Sequence, residues 1–127
     1  MEEAFRAILL GNTAIAARVG DRVDWGEGMQ GGALPSITLQ VVSSTNQHSM
    51  QGPDRLSQSR VQVDVYAASY GEAKVLQRAV LGALDGYRGG SMQGIFHAGS
   101  RDGREAGTSE AERPYRVSMD FMTNWSE

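Results

Sequence analysis

The run Arg60-Val61-Gln62-Val63-Asp64-Val65-Tyr66-Ala67, followed at once by Ser69-Tyr70-Gly71-Glu72 and an apolar helical stretch to Leu84, constrains the fold more than any other part of the chain. Side chains alternate across a strand, so Val61, Val63 and Val65 share one face while Gln62 and Asp64 share the other. A strand that is apolar on one side and polar on the other belongs to an antiparallel sheet covered on a single face. Ser69 with Glu72 three residues later spells a capping box, which starts the helix. Ala73, Leu76, Val80, Ala83 and Leu84 then form its packing stripe, Lys74, Gln77, Arg78 and Asp85 face away, and Gly86 stops it.

The same periodicities divide the rest of the chain. Glu2 to Leu10 places Phe5, Ile8 and Leu9 on one helical stripe, with Glu2 and Glu3 at the positive end of the dipole and Arg6 within reach of both. Gly11-Asn12-Thr13 interrupts it, and Asn12 or Thr13 can cap a second short helix ending at Gly20. Val23 to Trp25 reads as a short strand, Gly26 to Pro35 as a glycine-rich loop, and Ile37, Leu39 and Val41 mark a strand running to about Ser44. Met92 to Ala98 is a further strand, and Gly99 to Arg113 a polar loop. In the last strand Tyr115, Val117, Met119, Phe121, Thr123 and Trp125 share a face opposite Arg116, Ser118, Asp120 and Asn124. The expectation is an α+β fold in a single domain spanning residues 1–127. It has a mostly antiparallel four- to five-stranded sheet, with the N-terminal and central helices packed on one face.

Between the strands ending near Ser44 and starting at Arg60 lies the polar stretch Thr45 to Arg55, a hairpin arm or an ordered loop. Connections of this length often bind something, although a solvated loop is the plainer reading. Asn46, Gln47, His48, Met50 and Arg55 are its candidate contact residues.

At 127 residues the chain has the length of one domain, which buries roughly two thirds of its unfolded surface and folds without staples. It contains no cysteine, which excludes disulfides, thiolate zinc sites, iron–sulfur clusters and cysteine nucleophiles and is compatible with a reducing compartment. The acidic start Met1-Glu2-Glu3 lacks the basic region of a signal peptide, and no apolar run reaches the ~20 residues that cross a bilayer, so a cytoplasmic chain with no membrane partner is expected. A net charge of −3, with arginines spread from Arg6 to Arg116 and Lys74 as the sole lysine, argues against a dedicated nucleic-acid binder.

The motifs that would carry chemistry lack their context. Gly26-Glu27-Gly28-Met29-Gln30-Gly31 has the spacing of a pyrophosphate-cradling loop, but it leads into a strand where such a site needs a helix. His48 and His97 are too few for a metal centre without well-placed carboxylates. His48 reads as a solvated residue and His97 as a spectator in a strand near a loop. Asp64 and Asp120 could be imagined as paired catalytic carboxylates, yet Arg60 and Arg116 nearby explain them as cross-strand ion pairs on a solvated face. No nucleophile elbow, Walker loop or zinc-protease motif is present. No catalytic residue, cofactor site or metal site is expected.

Taken in order, five stretches resemble the bacteriophage tail-completion or tail-terminator family, which includes counterparts in gene transfer agents. They are Ala4-Phe5-Arg6-Ala7-Ile8-Leu9-Leu10, Val19-Gly20-Asp21-Arg22-Val23, Ala33-Leu34-Pro35-Ser36-Ile37, the Arg60 to Tyr66 strand, and Tyr70-Gly71-Glu72-Ala73-Lys74 through Ala83-Leu84-Asp85-Gly86. The likeness lies in order and spacing and weakens across Gly99 to Arg113. It implies a small α+β structural protein, not an enzyme, that assembles as a homo-oligomeric ring, typically of six subunits. Such a ring caps the tail tube and meets the head connector proteins, and DNA passes through it without specific binding. The place of work would be the host cytoplasm during assembly, then the tail of the virion or phage-like particle. Asn46, Gln47, His48, Met50 and Arg55 would then contact neighbouring subunits or the tail tube. Two alternatives stay open: another head–tail joining or neck protein, and a small cytoplasmic ligand-binding or enzyme domain using the sheet's polar face.

Overall fold

The computed structural model describes residues 2–26, 35–48, 55–89, 92–104 and 115–126. Its elements in chain order are α1 (Glu2–Leu10), α2 (Thr13–Val19), β1 (Val23–Trp25), β2 (Ser36–His48), β3 (Arg55–Ala67), α3 (Tyr70–Leu84), β4 (Met92–Arg104) and β5 (Tyr115–Ser126). The strands form one sheet in the order β1-β2-β3-β5-β4. Every pairing is antiparallel except that of β1 with β2. The fold is therefore α+β, with the mostly antiparallel sheet that the alternating valines imply.

β3 sits at the centre and follows its sequence pattern. Val61, Val63 and Val65 are fully buried and stand opposite Val41, Leu39 and Ile37 on β2 and opposite Phe121, Met119 and Val117 on β5. Onto this surface α3 lays Ala73, Leu76, Val80 and Leu84, all fully buried. Ser69 caps α3 by accepting from the Glu72 backbone N–H at 3.2 Å. After Leu84 the chain turns out through Gly86 at φ 80°, a left-handed conformation that glycine adopts without steric cost.

The N-terminal layer completes the core. Asn12 caps α2, its side chain accepting from Ile15 N at 3.1 Å, and Gly20 closes that helix at φ 62°. α1 is clamped to β1 by three contacts. Arg6 Nε donates to the Val23 carbonyl at 2.6 Å, Trp25 Nε1 donates to the Glu2 carbonyl at 3.1 Å, and Phe5 meets Trp25 edge-on at 5.9 Å. Arg22 Nε donates to the Pro35 carbonyl at 2.9 Å, holding the start of β2 beside β1. Phe5, Leu9, Ile15, Val19 and Val23 join the strand residues and α3 in one hydrophobic cluster.

Three strands run further than their hydrophobic pattern. β2 continues past Ser44 to His48, and β3 begins at Arg55, five residues before Arg60. Thr45, Asn46, Gln47 and His48 thus pair with Gln58, Ser57, Leu56 and Arg55, so that half of the expected arm is ladder. β4 likewise continues through Gly99 to Arg104, where the sequence reads as loop. The cause is visible at the far end of the sheet, where serine and threonine replace aliphatic residues on the covered face. Ser57, Ser59 and Thr123 are buried there, Ser44 Oγ and Ser59 Oγ share a hydrogen bond of 3.1 Å, and Trp125 Nε1 donates to Ser59 Oγ at 3.0 Å. Backbone pairing needs no apolar side chain, and Ser59 is satisfied by Ser44 and Trp125, whereas the Thr123 hydroxyl is buried without a partner among the described residues. The glycine-rich segment 27–34, Met50 and the tip 49–54, and the loop from 105 to 113 lie outside the described residues.

Val63→Asp places a carboxylate in the middle of the core and is expected to unfold the protein, because an unpaired buried charge costs more than a typical domain's margin. Gln62→Ser, on the opposite face, is expected to lose about 1–2 kcal/mol through the hydrogen bonds Gln62 makes and to stay folded. Equal, small changes in thermal midpoint for the two variants would show that the register is wrong.

Candidate functional site

All three helices pack on one side of the sheet, so the other side is where β2, β3, β5 and β4 present side chains outward. On β3 these are Gln58, Arg60, Gln62, Asp64 and Tyr66, and on β5 Arg116, Ser118, Asp120, Met122 and Asn124. β4 adds Phe96 opposite Met122 and Arg101 opposite Ser118. This face contains both carboxylates that the sequence offers as an acid pair.

The sequence reading placed Asp64 and Asp120 on a solvated surface, and the structure corrects it: they are 7% and 6% exposed. They are buried by their own partners. Asp120 Oδ2 accepts from Arg60 at 3.0 Å and from Arg101 at 3.3 Å. Asp64 Oδ1 accepts the Ser118 hydroxyl at 2.6 Å, and the Gln62 amide donates to both of its oxygens at 3.0 Å. Arg101 also reaches the Gln62 side-chain oxygen at 3.4 Å, joining the two clusters. The expected Arg60 pairing is present. Arg101 was missed because it lies where β4 reads as loop, and Arg116 stands opposite Tyr66 instead of opposite either acid. Carboxylates held by fixed donors act as structural acceptors, and this network fixes the arrangement of the face.

The remaining singled-out residues scatter. His97 is exposed at the β4 edge, with Nε2 and Ser100 Oγ 2.7 Å apart, its ring 5.5 Å from Phe121 and its backbone N–H donated to Asp85 Oδ1 at 3.0 Å. Asp85, expected to face solvent, therefore ties the end of α3 to β4. Gly26 adopts φ 86° and donates its N–H to the Leu39 carbonyl at 2.8 Å, so the first glycine of the G-x-G-x-x-G spelling has given its donor to β2. The chain beyond the loop enters a strand, as the context argument required. Asn46, Gln47, His48 and Arg55 are brought together at the end of the β2–β3 ladder. Among the described residues no cluster of three or more His, Cys, Asp or Glu could hold a metal, and no helix is long and apolar enough to cross a membrane.

A second polar cluster, on the helix side, was not read from the sequence. Lys74 Nζ donates to Asp102 Oδ1 at 2.8 Å, Tyr70 Oη donates to Asp102 Oδ2 at 3.0 Å, and Lys74 lies 5.2 Å from the Tyr70 ring centre. The contact spans 28 residues of sequence and latches the polar half of β4 to the start of α3. The Lys74 hydrogen bond holds the Asp102 carboxyl below its ordinary value of 3.8, and the same bond raises Lys74 above 10.5.

A family model described as Tail completion protein gp17 matches residues 3–125. The chain belongs to that family. Among solved structures, a chain from the virion of a native gene transfer agent (GTA) particle is similar in fold. The match covers 100% of this chain and 95% of that one, at 20% sequence identity and a TM-score of 0.71. No curated protein sequence matches. The family match runs from residue 3 to residue 125 and so reaches into all eight elements, beyond the five stretches that carry the resemblance.

Asp64→Asn turns one accepting oxygen into a donor facing Ser118 or Gln62 and is expected to cost about 1–3 kcal/mol, read as a lower thermal midpoint. His97→Ala should cost well under half as much, because the ring itself is exposed and its hydrogen-bond partner Ser100 is exposed too. The Lys74–Asp102 latch should be flat in pH across the neutral range. Asp102 sits below its ordinary value, so its contribution is present above that value and fades as pH falls through the lowered one. Lys74 sits above its ordinary value, so its contribution is present below 10.5 and fades as pH rises through the raised one. The pair is solvent-exposed, and Lys74→Met should change global stability by less than about 1 kcal/mol. It should, however, speed backbone hydrogen exchange over residues 99–104; unchanged exchange there would count against the latch.

Proposed function

We propose that this protein is a structural component of the tail of a phage or phage-like particle, working through binding with no bond made or broken. The observation that carries the reading is the family match over residues 3–125, joined to a fold likeness covering the whole chain. On this reading the chain acts as one domain, assembles as a homo-oligomeric ring of six, caps the tail tube and presents a surface to the head connector proteins. DNA passes through the opening, which suits a chain with net charge −3, since a strongly basic lining would hold phosphates by counterion release. The work begins in the host cytoplasm and ends in the particle tail.

The site at the end of the β2–β3 hairpin supports the same role. Asn46, Gln47, His48 and Arg55 occupy the last paired positions of two 13-residue strands, with Met50 in the connection between them. This is a rigid mount for a polar tip, and contacts with a neighbouring subunit or the tail tube suit it. The buried Asp64 and Asp120, held by Ser118, Gln62, Arg60 and Arg101, favour this reading over an enzyme that uses the sheet's polar face.

Replacing residues 49–54 with a two-residue Asn-Gly turn leaves the ladder intact and should cost the fold little, since loop-closure entropy changes slowly with length. The variant should be folded and soluble. Particles assembled with it should show tails of irregular length by electron microscopy. Normal transducing or infectious particles would defeat the tip's role, and tails of uniform length left unattached to heads would favour a neck protein.

A further inference from the structure

We propose that the uncovered sheet face around Phe96, Met122, Arg60 and Arg101 receives the acidic α1–β1 corner of the next copy of this chain. The inference rests on the ring reading above and names the two surfaces that build the ring.

The receiving face has the make-up of a protein contact. Phe96 is about half exposed, stands opposite partly buried Met122, and lies across Gly94, where an added Cβ would meet the ring at 2.8 Å. An aromatic ring laid flat on a sheet beside methionine and arginine is the kind of group enriched at interfaces, where lysine is depleted. Lysine is absent from this face among the described residues. On β3, β5 and β4 its charged residues are Arg60, Arg101 and Arg116 against Asp64 and Asp120, while Asp24 lies on the same face at the β1 edge, so the positive end and the acidic end of the face are separate. Arg60 and Arg101 converge on the same oxygen of Asp120, so one carboxylate is shared by two guanidiniums that are each about half exposed. Donors remain for another acceptor, because each guanidinium carries five N–H groups.

The complementary surface lies on the same molecule. Glu2, Glu3, Asp21 and Asp24 are all exposed on α1, β1 and the turn between α2 and β1. The arginines beside them are turned elsewhere: Arg6 donates to the carbonyls of Val23 and Asp21, and Arg22 to those of Pro35 and Arg18. Among the described residues no ion pair engages any of the four acids. Glu2 and Glu3 complement the helix dipole, but Asp21 and Asp24 have no such local role. The basic face is centred on β3, β5 and β4 and the acidic corner lies at the β1 edge, so a contact between them is heterologous. Such contacts repeat from copy to copy and close into a ring when the rotation allows.

The native chain has no cysteine, so site-directed thiol cross-linking has no background. A Phe96→Cys/Asp24→Cys double variant, treated with a short bismaleimide during assembly on tails, should give a ladder of covalent multimers on a denaturing gel. Mixed single variants should stop at dimers containing one of each, and a Val75→Cys/Asp24→Cys control on the α3 surface should give no ladder. Arg101→Glu should lower ladder yield at least tenfold, and the milder Arg101→Gln, which keeps Arg60 on Asp120, should lower it severalfold while its thermal midpoint falls no further than that of Gln62→Ser, whose ladder yield should stay near that of the parent. Adding Asp24→Lys copies bearing Glu3→Cys to Arg101→Glu copies bearing Phe96→Cys should restore mixed dimers. Assembly with a ladder from the α3 control alone would overturn the surface assignment while leaving the ring standing. A chain that sediments as a monomer and remains single on tails would overturn both. Unchanged cross-linking in Arg101→Glu with weaker retention of duplex DNA would assign the face to nucleic acid instead.

Discussion

Strand β3 is the constraint on which the rest of the structure depends. It is paired along nearly its whole length on both sides, with β2 and with β5, and its two faces have opposite requirements. On the covered face Val61, Val63 and Val65 are fully buried, each burial contributing roughly 1.5–3 kcal/mol relative to exposure. On the other face Arg60, Gln62 and Asp64 enter a hydrogen-bonded network with Ser118, Asp120 and Arg101. A shift of one residue in either ladder would drive Gln62 and Asp64 into the aliphatic core and the valines out of it. That double penalty fixes the register of β2 and β5 together, and β4 follows through β5.

The polar network adds specificity more than stability. Exposed ion pairs contribute little, and a buried carboxylate gains only what remains after its desolvation is offset. Asp120 and Asp64 are nearly inaccessible, so leaving either without its donors would be costly. Only the observed alignment places Ser118 opposite Asp64 and Gln62 opposite Asp120. The face is thereby held in one arrangement without a helix lying over it. Its middle is rigid, while Phe96 at one end and the guanidiniums of Arg60 and Arg101 remain available to a partner.

Legibility in the sequence divides along the same physical lines. Caps and apolar stripes gave α1, α2 and α3 their bounds, because Asn12 and Ser69 carry local hydrogen-bonding signals that tertiary context did not override. The valine alternation and the Tyr115 to Trp125 alternation placed β3 and β5 and their buried sides. The ends of β2 and β4 were hidden for a different reason. Ser43 to His48 and Gly99 to Arg104 pair through backbone, and the side chains of Ser44, Arg101 and Asp102 make polar contacts rather than joining an aliphatic core. The parallel docking of β1 on β2 carries no local signal, since it rests on Arg6, Arg22 and Trp25 reaching backbone groups distant in sequence. For the site, the polar face and its acids could be read, but their burial could not. That burial depends on Arg101, which only the completed sheet brings to Asp120.

The sheet's edges support the same division of labour. Unpaired strand edges are templates for further strands, and proteins commonly blunt them. Here β1 covers β2 from Ile37 to Leu39, and the α3–β4 connection covers β4, with Gly86, Tyr87 and Gly89 exchanging backbone hydrogen bonds with Ile95 and Met92. Farther along, β4 is interrupted by a bulge between His97 and Gly99 and carries Arg101 and Asp102. Sheet extension at that edge is therefore disfavoured. On the ring reading proposed above that bias matters: a charged, side-chain-specific contact would fix the angle between neighbours, whereas continued strand pairing would leave an open edge at every step.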